Sequence, residues 1–258
     1  MTLTVVNSGS KGNCYVLHNG SEALMIEAGV PFKEVLQTVG VEVAATLKGC
    51  ILTHEHQDHS KFVKDVLDHA IPVYATSGTI GALKGRSSQI MKPRNFWLNH
   101  DTDNELTPWQ PFMVGSFTVL PFRTVHDAMS PCGFFINHAE FGNLLFATDT
   151  RFIPSTFKDL NNIMIECNYH PRLLYDRNDI PDSLKERIKS SHQSIDTCCM
   201  ALEANDLTHV NMVMLIHISE MDGNPALFRE VVQQSVGPGH TVEVAERHKN
   251  YEMAIAPF

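Results

Sequence analysis

The sequence predicts an α/β protein, with two sheets packed together and helices outside, in one domain spanning 1–258. Short apolar strand candidates alternate with helical stretches along the whole chain. Asn19-Gly20 sits between apolar runs, a strong short-range sign of a hairpin, and Gly142-Asn143 reads as a turn. No linker, internal repeat or low-complexity tract divides the chain.

The elements follow in order. Thr2 to Val6, Cys14 to His18 and Ala23 to Ile26 read as strands, and the polar turn Ser8-Gly9-Ser10-Lys11-Gly12-Asn13 joins the first two. Pro31 opens a helix over Phe32 to Val39, since its fixed φ suits a first helical position. Gly49 to Leu52 is a short apolar strand that runs into a histidine-rich loop, and Ser60 is placed to cap a helix reaching His69. Pro72 to Tyr74 follows as a strand. The segment 85–111 is polar, with clustered Arg, Asn and Pro, and reads as an insertion or lid. Beyond it come strands at Phe117 to Pro121, Gly133 to Ile136, Leu144 to Ala147 and Ile163 to Ile165. Amphipathic helices are expected over Pro181 to Lys189 and Ser194 to Asn205. Val213 to Ile216 is a buried strand, Pro225 to Gln234 a helix, His240 to Val244 a strand, and a last strand lies near Glu252 to Ile255.

Composition narrows the function classes. Hydrophobic residues make up 43% and charged residues 19%, an ordinary globular balance that excludes disorder. No apolar run reaches the ~20 residues of a membrane span. Met1 to Asn13 lacks the basic-then-apolar order of a secretory leader, so a cytoplasmic protein is expected. The six cysteines form no C-x-x-C pair and read as reduced, buried thiols. A net charge of −9 argues against loose coating of nucleic acid. The 14 histidines call for an explanation.

The sharpest feature is His54-Glu55-His56-Gln57-Asp58-His59, directly after Cys50-Ile51-Leu52. Buried without a metal, such side chains would strand one another as unsatisfied polar groups. His54 and His56 alternate and can face one ion, leaving Asp58 and His59 for a second. Imidazole with carboxylate and no thiolate suits Zn, Mn or Fe. His126, Asp149 and His217 each follow an apolar strand, at the carboxyl edge where α/β sites form.

This pattern, His-x-His-x-Asp-His followed by spaced His, Asp and His, resembles the metallo-β-lactamase superfamily, whose fold is an αββα sandwich. The resemblance runs over nearly the whole chain, and within the superfamily it points to the YycJ/WalJ/VicX-like branch. The matching stretches include Ser8 to Cys14, Val125-His126-Asp127-Ala128, Glu166-Cys167-Asn168, Ser191-His192-Gln193-Ser194 and Ile216-His217-Ile218-Ser219-Glu220. The resemblance implies two divalent transition-metal ions, one on His54, His56 and His126, the other on Asp58, His59 and His217, with Asp149 bridging. Where the superfamily usually has Asp before Ala-Gly, this chain has Glu27 before Ala28-Gly29, expected to orient a ligand histidine from behind. The usual Asn-His-Asp is here Asn168-Tyr169-His170, and no role is carried onto Tyr169 or His170.

The chemistry implied is metal-assisted hydrolysis through a shared hydroxide, with Asp58 and His192 as catalytic candidates and His192 as proton donor or phosphate contact. The branch includes proteins regarded as DNA exonucleases, which makes a phosphodiester of DNA or RNA the expected substrate. Lys84, Arg86, Lys92 and Arg94, and then Lys185, Arg187 and Lys189, are candidate phosphate contacts. The backbone N–H groups of Ser8 to Asn13, with Ser10, Asn13 and Ser194, are candidate substrate contacts. The alternatives are a phosphodiesterase for cyclic or other small nucleotides and, from another class, a metal-bound regulatory module without turnover. No membrane partner is expected. A homodimer is left open, with Met212 to Met214 or the lid as its surface.

Overall fold

The computed structural model describes residues 1–86 and 110–255. Residues 87–109 of the expected lid, including Lys92 and Arg94, lie outside the described residues. The chain divides into two compact units. The first draws on Met1–Phe122, Ala128–Cys132 and Glu246–Glu252, the second on Arg123–Asp127, Gly133–Ala245 and the segment from Met253.

In chain order the elements are β1 (Thr2–Asn7), β2 (Cys14–His18), β3 (Ala23–Ile26), α1 (Phe32–Val39), α2 (Val41–Ala44), β4 (Leu47–Ile51), α3 (Gln57–Ser60), α4 (Val63–Asp68) and β5 (Val73–Tyr74). There follow α5 (Ser77–Arg86), β6 (Phe112–Val114), β7 (Phe117–Arg123), β8 (Cys132–His138), β9 (Gly142–Ala147), β10 (Asn162–Glu166) and α6 (Pro171–Asp176). The chain closes with α7 (Asp182–Ser191), α8 (Ile195–Glu203), β11 (Met212–Ile216), α9 (Pro225–Val236), β12 (Thr241–Val244) and β13 (Lys249–Glu252).

The first unit holds a sheet in the order β13-β1-β2-β3-β4-β5. The predicted β2–β3 hairpin forms: Gly20 takes φ 87°, and the Asn19 side chain accepts from the Ser21 and Glu22 N–H groups. From β3 to β5 the pairing is parallel, and the middle strands read as near-continuous apolar runs. Val16, Met25 and Cys50 share a core with Val35 of α1 and Val63 and Val66 of α4. That packing fixes the end of β4, from which the histidine loop departs.

The second unit pairs β9, β10, β11 and β12 in parallel, with β8 antiparallel to β9 across a turn at Gly142. A Cβ at Gly142 would lie 2.1 Å from Asn161 Oδ1, so glycine is required there by close approach as well as by φ 71°. Ser194 and Asn224 cap α8 and α9, accepting from Thr197 and Leu227 N–H, as the sequence predicts for a helix start. The register Ile163↔Val213, with Ile165↔Ala147, brings the carboxyl ends of β9, β10 and β11 level. Asp149, Glu166 and His217 stand at those ends.

Several expectations are corrected. Ser60 caps no helix: its hydroxyl donates to the Glu55 and His56 carbonyls, and the expected helix splits into α3 and α4. The last strand lies earlier than expected, at Lys249–Glu252, where it pairs with β1. Helix α5 was not anticipated, because glycines interrupt its pattern. Gly78 is needed there, since a Cβ would meet Ser130 Cβ at 2.6 Å. Met212 to Met214 are buried in β11, which removes them as a dimer surface.

All six cysteines are free, and burial pushes the Cys14, Cys50, Cys132 and Cys167 thiols up, in keeping with inert packing groups. No helix among the described residues is long and apolar enough to cross a membrane.

A surface clasp gives the first testable expectation. Glu34 of α1 accepts from Arg247 Nη2 at 2.6 Å and lies 3.2 Å from His248 Nε2. Burial works to raise this carboxyl, but Arg247 and His248 together outweigh it and hold it below its ordinary value. A carboxyl lowered by folding stabilises the protein above its unfolded pKa, and that contribution is lost as pH falls through the folded one. Thermal melts should therefore show wild type losing stability more steeply than Glu34→Gln between neutral pH and about pH 3. Parallel curves would contradict the clasp.

Candidate metal centre

In the first unit, β4 delivers the chain through Thr53 into His54, and α3 folds the loop back on itself. His59 N–H donates to the His56 carbonyl at 3.0 Å, and Ser60 ties the same turn through its hydroxyl. The rings of His54 and His56 lie 4.7 Å apart, those of His54 and His59 4.3 Å. Asp58 Oδ2 is 3.3 Å from His59 Nε2. This unit thus holds His54, His56, Asp58 and His59 near one another.

Glu27 stands fully buried behind them, at φ 67°. Its Oε1 accepts the Thr53 hydroxyl at 2.6 Å and lies 3.4 Å from His59 Nδ1. Asn13 and Gly29 press on the same loop. Asn13 N–H donates to the Asp58 carbonyl at 2.7 Å, and a Cβ on Gly29 would lie 1.8 Å from that carbonyl oxygen. The Asn13 side chain reaches His59, with Nδ2 3.2 Å from Nε2.

Three of the N–H groups in the turn up to Asn13 are already engaged. The N–H groups of Gly9, Gly12 and Asn13 donate to Asn13 Oδ1, the Gly9 carbonyl and the Asp58 carbonyl, so they form no open cradle for a phosphate. Ser10 is exposed on that turn.

In the second unit, Asp149 and His217 both leave their strands in the left-handed conformation, at φ 46° and 53°. Such strain at non-glycine positions marks side chains held in place by their surroundings. His217 Nδ1 lies 3.0 Å from both Asp149 Oδ1 and Glu166 Oε1. His126 Nδ1 donates to the Ser191 carbonyl at 2.8 Å, leaving Nε2 3.7 Å from Asp149 Oδ2. Asp149, Glu166, His192 and His217 offer atoms that all lie within 4.8 Å of one another.

Glu166 is the residue that sequence reasoning missed. Fully buried at the end of β10, it accepts from Thr150 N–H, Gln193 N–H and His192 Nδ1, the last at 2.7 Å. Its signal in the sequence was a charged residue closing the apolar run Asn162–Glu166. Burial works to raise the Glu166 carboxyl, yet His192 and His217 outweigh it and hold it low. Burial likewise disfavours charge on His192, but the Glu166 carboxylate overrides it and the imidazole is raised. Burial lowers His126, with Asp149 opposing.

Other candidates are engaged elsewhere. Ser194 Oγ accepts Thr197 N–H at 3.1 Å as a helix cap. Arg187 pairs with Asp127 at 2.7 Å, Lys189 with Glu186 at 2.8 Å, and Lys185 donates to the Tyr175 carbonyl. The basic run of α7 is therefore a paired face. Lys84 is exposed on α5.

The donor chemistry fits divalent metal. His126 gives Nδ1–H to a backbone carbonyl and turns Nε2 toward Asp149, the usual arrangement behind a metal-bound histidine. Among the described residues the grouped donors are His, Asp and Glu, with no thiol, which suits a transition metal on nitrogen and oxygen.

Comparison with known proteins agrees. A sequence profile described as a beta-lactamase superfamily domain matches residues 26–218. The chain is 26% identical over 242 residues to exodeoxyribonuclease YycJ of Bacillus anthracis, covering 90% of this chain and 86% of that one. The metallo-beta-lactamase fold protein YhfI from Bacillus subtilis is similar in structure, with TM-score 0.70 at 17% identity, covering 97% of this chain and 99% of that one. A diphosphatase from the PhnP family is similar at TM-score 0.67 and 15% identity, over 100% and 99%. At such identities these two structures establish the fold alone, and it is the α/β sandwich class the sequence predicts.

Proposed function

Since the chain belongs to the beta-lactamase superfamily and is a metal-dependent hydrolase within it, we propose that it cleaves phosphodiester bonds of DNA or RNA at a dinuclear centre. On this reading His54, His56 and His126 would hold one ion, Asp58, His59 and His217 the other, with Asp149 available to both. Divalent ions there supply an activated water and neutralise charge on the phosphoryl oxygens. Asp58 is the carboxylate we assign as proton acceptor in that chemistry. Only Asp58 and Asp149 bring negative charge to the proposed ligand set, so an anionic substrate is compatible with an acidic protein.

The observation that carries the substrate class is the Glu166–His192 pair. A leaving alkoxide needs a proton; burial disfavours charge on His192, but the buried Glu166 carboxylate 2.7 Å from its Nδ1 outweighs that and favours the protonated imidazole. The likeness to an exodeoxyribonuclease over 90% of the chain supports the same choice.

One panel tests it: single- and double-stranded DNA and RNA labelled at either end, beside cyclic mononucleotides, with Mn and with Zn. Shortening of the labelled strands is expected. Turnover of the cyclic compounds alone would move the substrate to small nucleotides, and inertia toward everything would favour a regulatory module.

A further inference from the structure

Thr53 stands between Glu27 and His54. Its Oγ1 lies 2.6 Å from Glu27 Oε1 and 2.9 Å from His54 Nδ1, and its own N–H points to the same carboxylate at 3.3 Å. All three residues are buried. A hydroxyl has one proton to donate, and a carboxylate can only accept. The Thr53 proton therefore goes to Glu27, and Thr53 Oγ1 must accept from His54 Nδ1–H. That leaves the lone pair of His54 on Nε2. Without the hydroxyl, either nitrogen could carry the proton and the ring would lose its anchor.

We propose that Thr53 is a positioning residue: its hydroxyl relays the Glu27 carboxylate to His54 and fixes the tautomer that presents Nε2 to a metal. The inference rests on the ligand role proposed for His54. The same carboxylate oxygen lies 3.4 Å from His59 Nδ1, while Asn13 Nδ2 faces His59 Nε2. Glu27 thus acts on His59 directly and on His54 through Thr53. Glu27 and Thr53 are 26 residues apart in the chain, joined by the parallel β3–β4 pairing that sets Ile26 against Ile51.

The experiment compares Thr53→Val, which keeps the shape without the hydroxyl, with Thr53→Ser, which keeps the hydroxyl. Zn and Mn affinities of the full chain are measured by chelator competition, with melting temperatures in excess chelator as the folding control. Thr53→Val should bind about 10–100-fold more weakly, the range for residues that orient metal ligands, and Thr53→Ser should stay near wild type. Equal affinity of Thr53→Val and wild type would overturn the relay, as would an equal loss in Thr53→Ser. Should Thr53→Val not fold, nitrogen NMR of His54 in metal-free wild type gives the answer: a proton on Nδ1 supports the relay and one on Nε2 refutes it. Wild type that binds no metal would count against the proposed function, while the tautomer measurement would still judge the relay.

Discussion

Purified without chelators, the protein should carry close to two transition-metal ions per chain, and either His54→Ala or Asp149→Asn should abolish phosphodiester hydrolysis. Both side chains are buried, so neither can be replaced by bulk water without rearrangement. Asp149 stands 3.0 Å from His217 Nδ1 and 3.7 Å from His126 Nε2, and an amide in its place removes a negative charge from beside both histidines. Metal-assisted stabilisation is worth several kcal/mol, so the rate should fall by roughly 10³-fold or more. Elemental analysis and kcat/KM on the same preparations check both halves. Metal-free protein that still cleaves its substrate would end the dinuclear reading.

The second large effect concerns the proton for the leaving group. His192→Ala should lower kcat on a DNA or RNA phosphodiester by about 10²- to 10⁴-fold while metal content stays at the wild-type level. With a 4-nitrophenyl ester, whose leaving group departs without a proton, the same variant should lose far less. Glu166→Gln should fall between wild type and His192→Ala, because the amide accepts a hydrogen bond from Nδ1 without the negative charge. The double variant should be little worse than His192→Ala, as expected for residues that act as one unit. An equal loss on both kinds of substrate would assign His192 to binding or folding instead.

The strands and caps were legible because their causes are local. Alternation and apolar runs mark β1 to β4, Asn19-Gly20 marks the hairpin, and Ser194 and Asn224 precede their helices with side chains that can accept the first free N–H groups. Ser60 misled for the same reason. It has the right side chain before an apolar stretch, but the loop folds back and its hydroxyl bonds to Glu55 and His56 instead. Helix α5 was illegible because glycines interrupt its pattern, and Gly78 suits a close approach to the Met129–Ser130 segment, which no local pattern encodes. In the basic run Lys185–Lys189, the Arg187 partner Asp127 lies 60 residues away and was not legible along the chain, whereas Lys189 pairs locally with Glu186.

The sequence by itself determined where the candidate donors stand along the chain: His54 to His59 in a loop after one apolar run, and His126, Asp149 and His217 after three others, runs whose burial is a local property. Tertiary structure alone decided what stands behind those donors. Glu166 on His192, Ser191 on His126, and Glu27 with Thr53 on His54 meet across separations of 26 to 65 residues. A hydrogen bond needs its partner within about 3 Å and in line. Only the packed sheets bring such distant residues that close, and that is why proton positions and ring orientations could not be read along the chain.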